Sequence, residues 1–306
     1  MFKNSAIRRI CVATIALFIL LLIYLFPTTP KINEELSYIK YNEMPVFLLD
    51  NNNYVAKSTI IKENNEIEKN IEEIIMALTI NSKKSNYIKN GFHPIIPENT
   101  KLIDYVLDND TLTLNFSKEF LNINKELEEK LLEALTYSLT EIKNIKKIKI
   151  LVDGEQLKFS NIIIPEYLDR SYGINKIYNI NSIKNLQKTT IYYIGKINNE
   201  HYYIPITKIT NNTLEKVEII IKELQTTPIH NTNLISYLKA STLLSNYEIL
   251  EKSVILSFNN YLLANLQNKD ILEEVKYAIA LSIKDTYGIN EVIFNIPDME
   301  EDKIEI

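Results

Sequence analysis

Residues 45–154 and 189–298 carry one succession of elements, offset by about 142–145 residues. Self-similarity at a fixed displacement means that a single small unit is built twice, and it governs every other reading of the chain. Ile191-Tyr192-Tyr193-Ile194 answers Val46 to Leu49, and Leu256 to Leu263 answers Leu114 to Leu121. Ala278 to Ile283 parallels Ala134 to Leu139, and Val292 to Ile296 parallels Ile148 to Val152. Four matched segments in the same order are hard to obtain by chance.

The first copy shows what the unit is. Val46 to Leu49 and Tyr54 to Ile61 flank Asp50-Asn51-Asn52-Asn53, which reads as a hairpin. Ile67, Ile71, Ile74, Ile75 and Leu78 then fall on one helical stripe, with Glu66, Glu68, Glu72 and Glu73 off it. A second hairpin is expected where Leu102 to Leu107 and Thr111 to Phe116 flank Asp108-Asn109-Asp110. Asn124 stands at the N-cap position of a second helix, acids follow in its first turn, and Lys143, Lys146 and Lys147 lie at or beyond its end. Its buried stripe is Leu127, Leu131, Leu135, Leu139 and Ile142, and Ile148 to Val152 closes the unit as a strand ended by Asp153-Gly154. In the second copy Leu214, Val217, Ile220, Ile221 and Leu224 mark the matching first helix.

The expected fold class is therefore α+β, with two tandem β-β-α-β-β-α-β domains whose helices cover one face of a mixed or antiparallel sheet. Residues 155–188 connect them and are too rich in Tyr and Ile for a free linker. Ile162-Ile163-Ile164 and Tyr172-Gly173-Ile174 are expected to pack on one or both domains. Residues 299–306 read as an acidic tail.

Ahead of the repeats, residues 10–26 form a charge-free apolar run. At about 1.5 Å per residue it makes a helix nearly as long as a bilayer core, with Arg8 and Arg9 able to snorkel at one end. Lys3, Arg8 and Arg9 precede it without an acid, so residues 1–9 are expected in the cytoplasm and the repeats outside, reached through a juxtamembrane linker at 27–44. A cleaved signal peptide is the competing reading, disfavoured by the length of the run and the lack of an A-x-A site before Pro27-Thr28-Thr29-Pro30. The only cysteine, Cys11, begins the apolar run and is read as a membrane-embedded hydrophobe, so the outer region holds neither a disulfide nor a thiolate metal site. Without the three N-terminal cations the net charge of −5 becomes about −8, which disfavours nucleic acid as a partner.

Chemistry is sparse. His93, His201 and His230 are the only histidines, and none has zinc-ligand spacing. Asp108 and Asp110 begin like a calcium loop, yet the required Gly and Glu are missing, so a hairpin turn is the better reading. Glu72-Glu73, Glu128-Glu129 and Glu273-Glu274 are adjacent carboxylates, which diverge by about 100° on a helix and are read as solvated helix faces. With five glycines in the chain, no phosphate-cradling loop and no G-x-S-x-G, no catalytic, cofactor-binding or metal residue is nominated.

The run Ile96-Pro97-Glu98-Asn99-Thr100-Lys101-Leu102, the run Leu112 to Phe120, the run Glu133-Ala134-Leu135-Thr136-Tyr137-Ser138-Leu139-Thr140 and the ending Ile148 to Gly154 resemble the GerMN domain family. That family carries "IPxGTxL", "vxVDlSkeF" and "EAlvyTLtexpxVkkVxilvdG" in this order. Asn99 stands where the family has Gly, a change tolerated because Asn also enters the left-handed region. The second copy is degenerate, with Ile229 to Leu234 only a shadow of the first motif. The resemblance implies a core like that of ring-building motifs, no enzymatic activity, no cofactor, and a role in spore formation or germination. It further implies a structural or assembly component of the cell envelope with protein partners in an envelope or ring-like complex, possibly copies of itself. The alternative is an extracytoplasmic sensor or cell-wall-binding module unrelated to sporulation.

Overall fold

The computed structural model describes residues 14–18, 21, 42–63, 65–226, 233–265, 267 and 269–306. The chain divides into two units, Met1–Lys40 and Tyr41–Ile306. In the first, residues 14–18 and Leu21 are helical, and most of the expected membrane span at 10–26 lies outside the described residues, as does most of the 27–44 linker. Among the described residues no helix is long and apolar enough to cross a membrane.

The second unit contains both repeats. The first repeat runs β1 (Glu43–Asp50), β2 (Val55–Ile61), α1 (Ile67–Leu78), β3 (Leu102–Asp108), β4 (Thr111–Phe116), α2 (Glu128–Leu139) and β5 (Lys147–Val152). The second runs β6 (Gln187–Ile197), β7 (Glu200–Thr210), α3 (Lys216–Gln225), β8 (Leu244–Ile249), β9 (Ser253–Phe258), α4 (Glu273–Tyr287) and β10 (Glu291–Asn295). The turns form where short polar side chains allow positive φ: Asn53, Asn99, Asn109 and Asp153 are all left-handed, Asn99 at φ 66°. Asn124 caps a 3₁₀ turn one step before α2, its Oδ1 accepting from Glu126 N–H at 3.2 Å.

The single sheet expected in each copy is divided. In the first repeat β3, β4 and β5 make their own sheet, and β4 and β5 are parallel, so the chain must cross over through α2. In the second, β8, β9 and β10 do the same with α4 as the crossover. The acidic stretch 299–306 is not a free tail: Asp302–Glu305 forms β11, antiparallel to β10, because Ile304 and Ile306 alternate toward the second core. The opening hairpins leave these sheets and pool into one sheet with the order β6-β7-β2-β1, extended by Phe92–His93 beside β1 and by Ile177–Asn179 beside β7.

That division explains the burial of α2 on nearly every side, where a single apolar stripe was expected. Glu133, Thr136 and Ser138 are buried together with Leu131, Leu135 and Leu139, because β1 of the same repeat covers a side of the helix that the three-stranded sheet leaves open. Each repeat keeps its own apolar core, and Ala56 of the first hairpin is buried in the second. The segment 155–188 packs as expected at Tyr172 and at fully buried Ile174, and in part at Ile162 and Ile164, whereas Ile163 is 96% exposed. Burial alternates along Ile162-Ile163-Ile164, so the three consecutive isoleucines do not all face the core.

Candidate functional site

The seam between the two hairpins gathers several buried polar groups. β2 and β7 meet through one antiparallel pair, Lys57 opposite Tyr203. The next pair would be Val55 with Pro205, and proline has no N–H to give a ladder. Asn175 takes that place. Its Nδ2 donates to the carbonyl oxygens of Val55 and Pro205, each at 2.8 Å, and its Oδ1 accepts from Val55 N–H at 2.9 Å. The residue is buried and adopts φ 45°, which asparagine tolerates better than most side chains.

Asn175 is itself held from the first repeat. Its backbone N–H donates to Glu133 Oε2 at 2.9 Å, and Lys176 lies 3.5 Å from Glu133 and 2.7 Å from Glu129. Burial pushes the Glu133 carboxyl up to about 7, against the pull of the Asn175 N–H, Lys176 and Lys130.

At the other end of the helices, Arg170 joins both copies and the connecting segment. It pairs with Glu141 at 2.7 Å and with Asp285, and it donates to Tyr137 O at 3.2 Å and Thr140 Oγ1 at 3.0 Å. Its guanidinium stands 4.8 Å from the Tyr137 ring centroid, and Tyr192 donates to Asp285 at 2.8 Å. Burial raises the Glu141 carboxyl, but Lys57, Arg170 and Lys284 outweigh it and hold the group well below the usual carboxylate range. A fourth tie crosses the seam where Tyr202 donates to Asp50 at 2.8 Å, with Gly195 leaving room for the tyrosine ring.

The residues singled out from sequence fall into separate places. His93 Nε2 contacts Asn51 Oδ1 at 2.9 Å on the surface, His201 Nδ1 contacts Glu274 at 2.8 Å on β7, and His230 lies outside the described residues. Asp108 and Asp110 flank the left-handed Asn109 of a turn, and among the described residues no cluster could hold a metal ion. The paired acids differ from the expected solvated faces. Glu73 and Glu128 are buried, since α1 and α2 are covered on more than one side, while Glu72, Glu129, Glu273 and Glu274 remain toward solvent. Asn175 and Arg170 carried no sequence signal, because their partners lie 29 to 120 residues away.

Residues 45–158 match the family described as Germane, sporulation and spore germination. The chain is 27% identical over 264 residues to the spore germination protein GerM of Bacillus subtilis, covering 84% of this chain and 72% of that protein. The solved structure of the tandem GerMN domains of GerM from Bacillus subtilis superposes with a TM-score of 0.76 at 25% identity, over 85% of this chain and 92% of that one. Residues 45–158 thus carry the GerMN domain that the motifs suggested, and the chain resembles GerM in sequence, in fold and in its tandem arrangement.

Proposed function

We propose that this protein serves in sporulation or spore germination as a non-enzymatic, membrane-anchored envelope component that works through protein-protein contacts. The observation that carries the reading is the likeness to the tandem GerMN domains of GerM, which extends over most of both chains. The relatives are described as proteins of sporulation and spore germination. In this reading residues 1–9 are cytoplasmic, 10–26 span the membrane, and the GerMN units at 45–154 and 189–298 stand outside the cytoplasm as one body.

The seam supports a structural role. Buried ion pairs and hydrogen bonds add geometric definition even where their net stability is small, and here they unite residues of both copies. A body braced in this way can present surfaces at a set angle to a neighbouring protein. The test is deletion of the gene in the source cell, scored by heat-resistant spore yield, together with in-cell cross-linking of a tagged full chain. Fewer or germination-defective spores and a specific cross-linked protein are expected. Normal spores and germination in the deletion strain would overturn the reading.

A further inference from the structure

The pooled sheet is open on one side of its single seam pair. Alternate residues of a strand send their backbone groups to the same edge. Val55 meets Asn175 across the seam, so Lys57, Thr59 and Ile61 of β2 face the same way. Pro45 stands opposite Thr59 within the first hairpin and has no N–H, in keeping with a Thr59 backbone turned away from β1. Pro205 meets Asn175 likewise, so His201 and Tyr203 of β7 face β2. The rung that would join Thr59 to His201 is nevertheless missing, since the pairing is confined to Lys57 and Tyr203.

A cavity of about 650 Å³ occupies that place. Lys57, Ser58 and Thr59 line it from β2 and His201, Tyr202 and Tyr203 from β7. Consecutive strand residues point to opposite faces, so the cavity is a gap between two strands and not a dent in one face of the sheet. Its walls are mainly aromatic and aliphatic: Tyr203, Tyr277 and Leu281 beside α4, and Tyr202, Phe92 and Ile197 across the sheet. The hydroxyls of Ser58 and Thr59 are buried without a hydrogen-bond partner, and Ser58 is only 6% exposed.

The same seam shows what chemistry such a gap accepts. One step to the other side of the Lys57–Tyr203 pair, the equivalent opening is filled by an amide, the Asn175 carboxamide, bonded to both strands. We infer that the open side binds a short extended peptide segment with consecutive apolar side chains, whose backbone amides bond to Thr59 and His201 and whose side chains enter the two apolar walls. Strand addition supplies main-chain hydrogen bonds, and the pockets on alternate sides supply selectivity.

The test uses the purified full chain. Random octapeptides displayed on phage are selected against it, the consensus peptide is synthesised, and binding is measured by calorimetry beside chitotetraose as a saccharide probe. Residue-resolved amide hydrogen exchange is followed in the same complex. Selected peptides with adjacent apolar residues, saturable binding, and at least tenfold slower exchange at Thr59 and His201 are expected. Thr59→Pro removes the outward N–H and leaves the β1–β2 bonds intact, and should weaken binding at least tenfold, while Tyr105→Ala on distant β3 should not. No selectable peptide, binding of chitotetraose alone, or peptide binding with unchanged exchange at Thr59 and His201 would overturn the inference. The exchange measurement on the unsubstituted chain decides the matter if Thr59→Pro does not fold.

Discussion

The Asn175 carboxamide and the Val55 peptide group exchange two hydrogen bonds, Nδ2 to oxygen at 2.8 Å and N–H to Oδ1 at 2.9 Å, as facing strand residues do. Replacing Asn175 with Ala would leave Val55 N–H and the carbonyls of Val55 and Pro205 buried and unpaired. Each unpaired group costs about 1–3 kcal/mol, and the costs overlap. We expect a loss of about 2–4 kcal/mol by urea unfolding at unchanged slope. A loss under about 1 kcal/mol would mean that Asn175 does not brace the seam.

A serine in the second helix of each repeat plays one role twice. Ser138 Oγ accepts from Phe47 N–H at 2.8 Å, and Ser282 Oγ accepts from Tyr192 N–H at 2.9 Å. Both N–H groups lie on the strand edge away from the partner in the hairpin, where no ladder reaches them. Ser138→Ala and Ser282→Ala should each cost about 1–3 kcal/mol. Their effects should add within about 0.5 kcal/mol, since the helices that carry them pack their apolar residues, Leu135 and Leu139 in one case and Ile279 and Ile283 in the other, into separate cores. Denaturation of the two single variants and the double variant checks this.

Two buried carboxylates give stability opposite slopes with pH. Glu133 is raised from 4.5 to about 7 on folding, so its contribution is full below pH 4.5 and is lost as pH rises toward 7. Glu141 is lowered, so its contribution is present above 4.5 and is lost as pH falls below that value. The part of stability due to these two groups should peak near pH 4.5. Glu133→Gln removes the alkaline decline and should gain on the parent chain between pH 4.5 and 7, by up to about 3 kcal/mol. Unfolding curves at several pH values read the difference, and parallel profiles for the two chains would refute the assignment.

Arg170 binds Glu141 and Asp285 in a site where Asp285 is almost wholly covered. Arg170→Met should cost about 3–5 kcal/mol, because removing one partner strands buried charge. Arg170→Lys should recover less than half of that, since an ammonium cannot reach both carboxylates with the fork geometry of a guanidinium. Thermal unfolding of both variants distinguishes this network from a surface ion pair, whose loss is worth about 1 kcal/mol or less.

The β1–β2 and β3–β4 hairpins, the stripe of α1 and the closing strand β5 were legible because their patterns are local. Alternation, turn asparagines and helical spacing each act within a dozen residues. The second copy followed from the first even where its motif is degenerate, as Ser282 matches Ser138 in register. The burial of Glu73, Glu128 and Glu133 was not legible, because a charged residue on a helix reads as solvent-facing until the covering element is known.

By itself, the sequence determined that a helix-containing unit is made twice, where its strands and helices begin and turn, and that the described repeats rely on packed apolar cores rather than disulfides. Only the tertiary structure decided that the opening hairpins leave their own sheets and meet across β2 and β7. It alone placed Asn175 and Arg170 at that seam. The physical reason is that strand edges carry the same N–H and C=O groups whatever the side chains. Which edges find each other is therefore settled by the packing of whole units, over separations such as the 152 residues between Asp50 and Tyr202, and not by any pattern along the chain.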